Sequence, residues 1–268
     1  MKNLPRLLIL GALIVSVLSS SCRAQSPSTY HTKNDMRLQR CFPELRSGEK
    51  IVFHKGFALV YNEKYEQAAW VGYMLTRDRV NAQGKKSNNF REDPAIATRS
   101  AQLDDYHGSG FDRGHLCPSG SMKWDFTVND ETFFLSNMSP QDHSFNSGIW
   151  NTIEERVRNW SRTYDTIYVF TGPIFSDDMD TIGRNRVAVP KAFYKVVYCP
   201  ASKQAIGLIV PHIQQKAQWH EFAVPVDEVE ARTGINFLKG IANEDSVEKS
   251  FNLSFWQHKA QKQKRKRH

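Results

Sequence analysis

Short runs of β-branched and aromatic residues recur at residues 51–61, 69–75, 166–172, 192–198 and 205–210, and no regular helix separates each from the next. A doubly wound parallel sheet needs a crossover helix between neighbouring strands. The spacing therefore argues against that fold and predicts an α+β domain with a mixed, largely antiparallel sheet flanked by helices. Helical periodicity is clearest over residues 146–160, where Ile149, Ile153, Val157 and Trp160 share one apolar face. A second helix is predicted over 225–233, with Val226 and Val229 inward and Gly234 as its stop. Residues 81–90 read as a polar loop. Residues 25–48 lack sustained periodicity and read as a linker. The expected organisation is an N-terminal signal over 1–24, the linker, one domain over 49–258 and a basic tail over 259–268.

A hydrophobic fraction of 40% and a charged fraction of 24% exclude a wholly disordered chain and a multi-span membrane protein. At the N-terminus, Lys2 and Arg6 precede an apolar stretch over residues 7–18, followed by Ser19, Ser20 and Ser21, which is the pattern of an export signal. Cleavage before Cys22 would make a lipoprotein anchored there, and cleavage after Ala24 a secreted protein; the first is favoured. The expected location is therefore outside the cytoplasm, as an outer-surface or periplasmic lipoprotein or a secreted protein. Cys41, Cys117 and Cys199 remain beyond Cys22. Three cysteines allow at most one internal bridge and show no CxxC zinc spacing, so small buried apolar roles are expected.

The net charge of +8 is unevenly placed. Residues 1–24 hold three cations and no acid, and residues 259–268 hold six cations, so the body between them carries −1. Any anion-binding surface on the domain must then be a local cluster rather than a property of the whole.

The densest chemical signal is Asp105-Tyr106-His107-Gly108-Ser109-Gly110-Phe111-Asp112-Arg113-Gly114-His115-Leu116. Three glycines with two histidines and an arginine make a poor core strand and a good active-site edge. Downstream lie residues 132–141, Asn146-Ser147-Gly148-Ile149-Trp150 and Glu154. Each polar residue there has an ordinary explanation: Asn137 as a strand end, Asn146 as a helix N-cap, Glu154 as a solvated helix charge.

Taken together, Phe90-Arg91-Glu92-Asp93, residues 105–116, residues 132–141, residues 146–154 and Thr171-Gly172-Pro173 closely resemble the DNA/RNA non-specific endonuclease family. Weaker similarity runs on to about Phe237. The resemblance implies a ββα-metal finger near residues 105–160 and hydrolysis of internal phosphodiester bonds in DNA and RNA, leaving 5′-phosphate ends. It implies His115 as general base, Asn146 as the one direct protein ligand of Mg2+ (with Mn2+ able to substitute), and Glu154 as an outer partner acting through water. Asn137 and Arg113 match positions that support the base, the metal surroundings and the phosphate. Arg91, ahead of Arg77, matches an arginine that reaches the scissile phosphate; apart from the resemblance, nearby Lys123 is expected to add a phosphate contact.

The chemistry agrees with that division. A neutral imidazole can take a proton from water, and a divalent ion can offset charge growing on phosphorus and on the departing oxygen. On an unbroken helix, Asn146 and Glu154 would stand roughly 12 Å apart and about 80° around the axis, so both would not ligate one ion directly. Contacts to phosphate and metal alone also imply little sequence preference. Two other readings remain at this level: a non-catalytic polyanion-binding surface protein on the same fold, and a zinc hydrolase built on His107 and His115, which lacks an evident third ligand.

Overall fold

The computed structural model describes residues 31–258. The export signal, Cys22 and the basic tail expected from the sequence lie outside the described residues.

Seven strands form the main sheet: β1 (Ile51–Phe53), β2 (Phe57–Asn62), β3 (Gln67–Thr76), then β6 (Thr166–Pro173), β9 (Ala192–Cys199), β10 (Gln204–Pro211) and β11 (Ala223–Val224). Their spatial order is β1-β2-β3-β6-β9-β10-β11, and every neighbouring pair is antiparallel. Two small hairpins complete the strands, β4 (Asp112–His115) with β5 (Met138–Gln141), and β7 (Thr181–Ile182) with β8 (Val187–Ala188). The α+β expectation holds.

The period of two along the strands divides the core into two layers. Val71, Tyr73, Leu75, Val169, Val197, Ile206 and Leu208 face one side, where they pack against Ile153, Val157 and Trp160 of the Asn151–Tyr164 helix. Trp70, Met74, Phe170, Val196 and Tyr198 face the other, against Val226 and Val229 of the Val226–Thr233 helix. Each such side chain, fully buried, contributes about 1.5–3 kcal/mol, so the helix apolar stripes hold the layers in place.

Three sequence expectations need correction. The run at 51–61 is two strands, because the chain reverses through His54-Lys55-Gly56 and the His54 amide donates to the Phe57 carbonyl at 2.8 Å. The linker assigned to 25–48 belongs to the domain over its described part: Asp35 caps a turn of helix at Met36–Gln39, and Leu38, Cys41 and Phe42 are buried in the second core layer. Polar composition hid three well-spaced apolar anchors. Finally, the helix expected over 146–160 is broken. A short turn at His143–Phe145, capped by the Asp142 side chain, leads into a wide turn at Asn146–Trp150, and regular helix begins at Asn151. Asn146 is therefore no N-cap. The Val226–Thr233 helix ends as expected, on Gly234 at φ +63°.

Candidate active site

The hairpin of β4 and β5, followed by the Asn151–Tyr164 helix, forms a ββα unit against the first core layer. Gly114 pairs with Ser139 across the hairpin, and a Cβ on it would fall 2.2 Å from the Gln141 side chain, so the third residue of Asp-Arg-Gly-His has to be glycine. Ser139 Oγ donates to Gln67 Oε1 at 2.6 Å and ties the hairpin to the main sheet. Beyond His115 the chain is clamped by Asn137. Its Oδ1 accepts from the Cys117 amide at 2.8 Å, and its Nδ2 donates to the carbonyls of Cys117 at 3.0 Å and Thr132 at 2.8 Å. Asn137 is fully buried with its amide engaged, so it positions the strand that carries His115 rather than touching a substrate.

The His115 ring is edged by Phe90 and Phe133, at centroid distances of 5.8 and 4.9 Å. Its Nε2 is buried without a hydrogen-bond partner. Burial, helped by the charges of Lys86 and Arg113, pushes the imidazole pKa down to about 3. The ring is therefore neutral at physiological pH and able to accept a proton.

Asn146 opens the wide turn, whose Gly148 leaves helical geometry at φ −94° and ψ −110°. Wide turns of this kind recur at functional sites because they re-aim side chains that a regular helix would disperse. Asn146 Nδ2 donates to Asp112 Oδ2 at 2.9 Å, and His143 Nδ1 donates to the same oxygen at 2.9 Å. A carboxylate only accepts, so Asp112 fixes which end of the amide is NH2 and leaves the Asn146 carbonyl oxygen for a metal.

Glu154 follows on the regular helix, with Arg158 Nη1 3.9 Å from its Oε2. Burial raises its carboxyl above the usual range, while the charges of Lys195 and Arg158 pull it back. Lys195 is fully buried in β9, where its Nζ sits 3.9 Å over the Trp150 ring and donates to Thr171 Oγ1 at 3.2 Å. Burial lowers its ammonium pKa and the Glu154 charge offsets this. Removing Lys195 takes away one of the two cations that act on the buried Glu154 charge, Arg158 being the other. Lys195→Ala is thus expected to cost about 3–5 kcal/mol, read by urea unfolding, whereas Lys195→Met with Glu154→Gln should recover most of it. A double variant no more stable than Lys195→Ala would show that the two charges do not compensate each other.

His115, Asn146 and Glu154 line one pocket of about 230 Å³, together with Lys86, Pro118, Ser119, Gly120, Lys123, Asn151 and Arg158. The break at Gly148 makes the straight-helix geometry expected for Asn146 and Glu154 inapplicable, since both border the same space. Lys123 borders this pocket. Arg113 instead lines an adjoining cleft with His107, Asp104 and Asn146, its guanidinium 4.2 Å over the Phe90 ring. Arg91 is outside the pocket lining, where it pairs with Asp130 at 2.7 Å and stacks 4.1 Å over Phe134, so the structure does not bring it together with His115 and Asn146. Arg77 bonds to the Arg162 carbonyl at 2.9 Å and lines neither space. His107 is exposed, and among the described residues no ligand cluster joins it to His115, which removes the basis of a zinc centre there. Cys41, Cys117 and Cys199 are buried free thiols.

Lys86, Arg158 and Lys195 were not singled out from sequence. Lys195 carried a signal: it stands within the apolar run Phe193–Val197 at a position whose neighbours two away, Phe193 and Val197, face the core under the helix. Lys86, in a polar loop, and Arg158, on a helix, carried none.

The family described as DNA/RNA non-specific endonuclease matches residues 43–244. Human mitochondrial endonuclease G is 33% identical over 204 residues, covering 70% of this chain and 69% of the relative. Nuclease C1 of Cunninghamella echinulata var. echinulata is 36% identical over 203 residues, covering 69% and 81%. The solved EndoG/EndoGI complex superposes with a TM-score of 0.69 at 33% identity, covering 76% of this chain and 91% of that one. These relatives correct the location expected from the N-terminus. Endonuclease G from human and cattle and EXOG from mouse are mitochondrial by name, which points away from an outer-surface or periplasmic lipoprotein and gives no support to a lipid anchor at Cys22.

Proposed function

This chain belongs to the DNA/RNA non-specific endonuclease family, and from that premise we propose that its phosphodiester hydrolysis is carried out in the pocket shared by His115, Asn146 and Glu154. The chain is a metal-dependent endonuclease acting on DNA and RNA with little sequence specificity. The observation that carries the site assignment is that a neutral histidine, an amide oxygen held outward and a buried carboxylate border one space ringed by Lys86, Lys123 and Arg158.

The donor set fits a hard ion. Asn146 offers a carbonyl oxygen oriented by Asp112, and Glu154 offers a carboxylate on the same pocket, which suits Mg2+, or Mn2+ in its place. Asn146 would hold the ion, with Glu154 in its outer surroundings. When bound, the ion supplies electrostatic stabilisation of the charge that develops on phosphate. His115, neutral and bordering this pocket, takes the proton of the attacking water on its imidazole. Lys86, Lys123 and Arg158 hold the phosphate by charge, supplying locally what a body with almost no net charge does not supply globally. Arg113, in the adjoining cleft, extends that surface along the strand. The resemblance implies that cleavage leaves a 5′-phosphate.

A plasmid-nicking assay tests the reading. Purified protein should convert supercoiled plasmid to nicked and linear forms with Mg2+, stop in EDTA, and lose activity when His115 is replaced. Binding of plasmid without metal-dependent nicking would instead favour a non-catalytic polyanion-binding protein.

A further inference from the structure

On the sheet face opposite the nuclease pocket, the Val226–Thr233 helix packs beside the short Glu244–Glu248 helix, with Val226, Val229 and Val247 in the same core layer as Val196 and Tyr198. Here Asp227, Glu230 and Glu248 each turn a carboxylate oxygen toward the others, all within 4.8 Å of one another. Asp227 and Glu230 are three residues apart and share one helix face, while Glu248 comes from the second helix. Three like charges so close repel, and burial makes the repulsion worse.

Glu248 sharpens the problem. It is only 4% exposed, and its Oε1 is buried with no hydrogen-bond partner, a costly state for a carboxylate. Burial first, and then the acidic neighbours Glu230, Glu244, Asp227 and Asp245, push its carboxyl pKa up to about 8. Two nearby lysines are engaged elsewhere, Lys239 with Glu44 and Lys249 with Asp245. Glu230 is held in place, since its Oε1 accepts from the Phe237 amide at 2.6 Å.

We propose that Asp227, Glu230 and Glu248 form a second cation site, separate from the nuclease pocket, whose ligand is a calcium ion bridging the two helices. Calcium takes oxygen ligands at about 2.3–2.6 Å, so oxygens within 4.8 Å of one another need only small side-chain adjustments to share one ion. Calcium also accepts the irregular ligand geometry that two helices and water would provide, whereas magnesium demands a near-ideal octahedron. The bound ion gives the buried Oε1 of Glu248 its missing partner and fastens the Glu244–Glu248 helix to the sheet.

The test is thermal unfolding of full-length protein stripped with EDTA and titrated with CaCl2, for wild type, Glu248→Gln, Asp227→Asn and Asn146→Ala. Calcium at a hundredfold excess over its Kd should raise the wild-type Tm by roughly 5–10 °C. Asn146→Ala should keep that rise, while Glu248→Gln and Asp227→Asn should lose most of it and retain Mg2+-dependent nicking. Asp227→Asn carries the test by itself should Glu248→Gln fail to fold. A wild-type Tm unmoved by calcium overturns the proposal, as does a rise that disappears in Asn146→Ala and persists in the Asp227 and Glu248 variants, since the nuclease pocket would then be the binding site.

Discussion

Replacing His115 with alanine should lower turnover by about 10²–10⁴-fold, the usual worth of a positioned general base, while leaving the affinity for a divalent metal near wild type. The neutral imidazole is edged by Phe90 and Phe133 and borders the pocket, so its loss removes a proton acceptor without disturbing the Asp112–Asn146 contact. Single-turnover cleavage and calorimetric titration with Mn2+ read the two quantities separately. Abolished metal binding would make His115 a ligand and reopen the zinc reading. The same variant has an acid signature in EDTA. With a folded pKa near 3 against 6.5 unfolded, His115 binds its proton more readily in the unfolded chain. Its neutral form therefore imposes no penalty above pH 6.5, and the fold loses stability as pH falls from there toward 3. His115→Ala should lose less stability than wild type over that window, measured by urea unfolding at pH 7 and pH 4.5. Parallel losses would show that the imidazole is not held neutral.

Asn146→Ala should produce a comparably large loss of activity by a different route. It deletes the carbonyl oxygen that Asp112 orients, so the metal requirement should rise, and added Mg2+ should restore part of the rate. Asp112→Ala, which leaves the amide in place but unanchored, should show a milder form of the same shift. An activity deficit in Asn146→Ala that no magnesium concentration relieves, with unchanged metal affinity in titration, would remove Asn146 from the metal. The contrast with His115→Ala matters because both residues border one pocket, and a single loss of activity would not distinguish base from ligand.

Much of this site was legible because its parts are close in sequence. Asp-Arg-Gly-His fits an edge hairpin and no core strand, and Ile149, Ile153, Val157 and Trp160 announce the helix that follows. The local turn chemistry was less legible. Gly148 is one small residue in a helical pattern, and only the structure shows that the chain widens there. That break undid a sound calculation, since eight residues on a straight helix do separate two side chains widely, but these eight do not lie on one. The partners of Asn137 and Arg91 were not legible either: both are polar residues beside the motif, and the difference between a buried clamp and an ion pair with Asp130 depends on residues elsewhere in the fold.

By itself the sequence determined most of the strands and the α+β architecture, because these follow from periodicity, and it carried the motif set through which the family resemblance implies a base and a metal anchor. Tertiary structure alone decided which basic residues ring the pocket, that Lys195 buries its charge near Glu154, and that Asp227, Glu230 and Glu248 converge. Those features join side chains from elements far apart along the chain. Their energies depend on burial and on the distance between charges, and neither quantity exists until the sheet has closed and the helices have packed on its two faces.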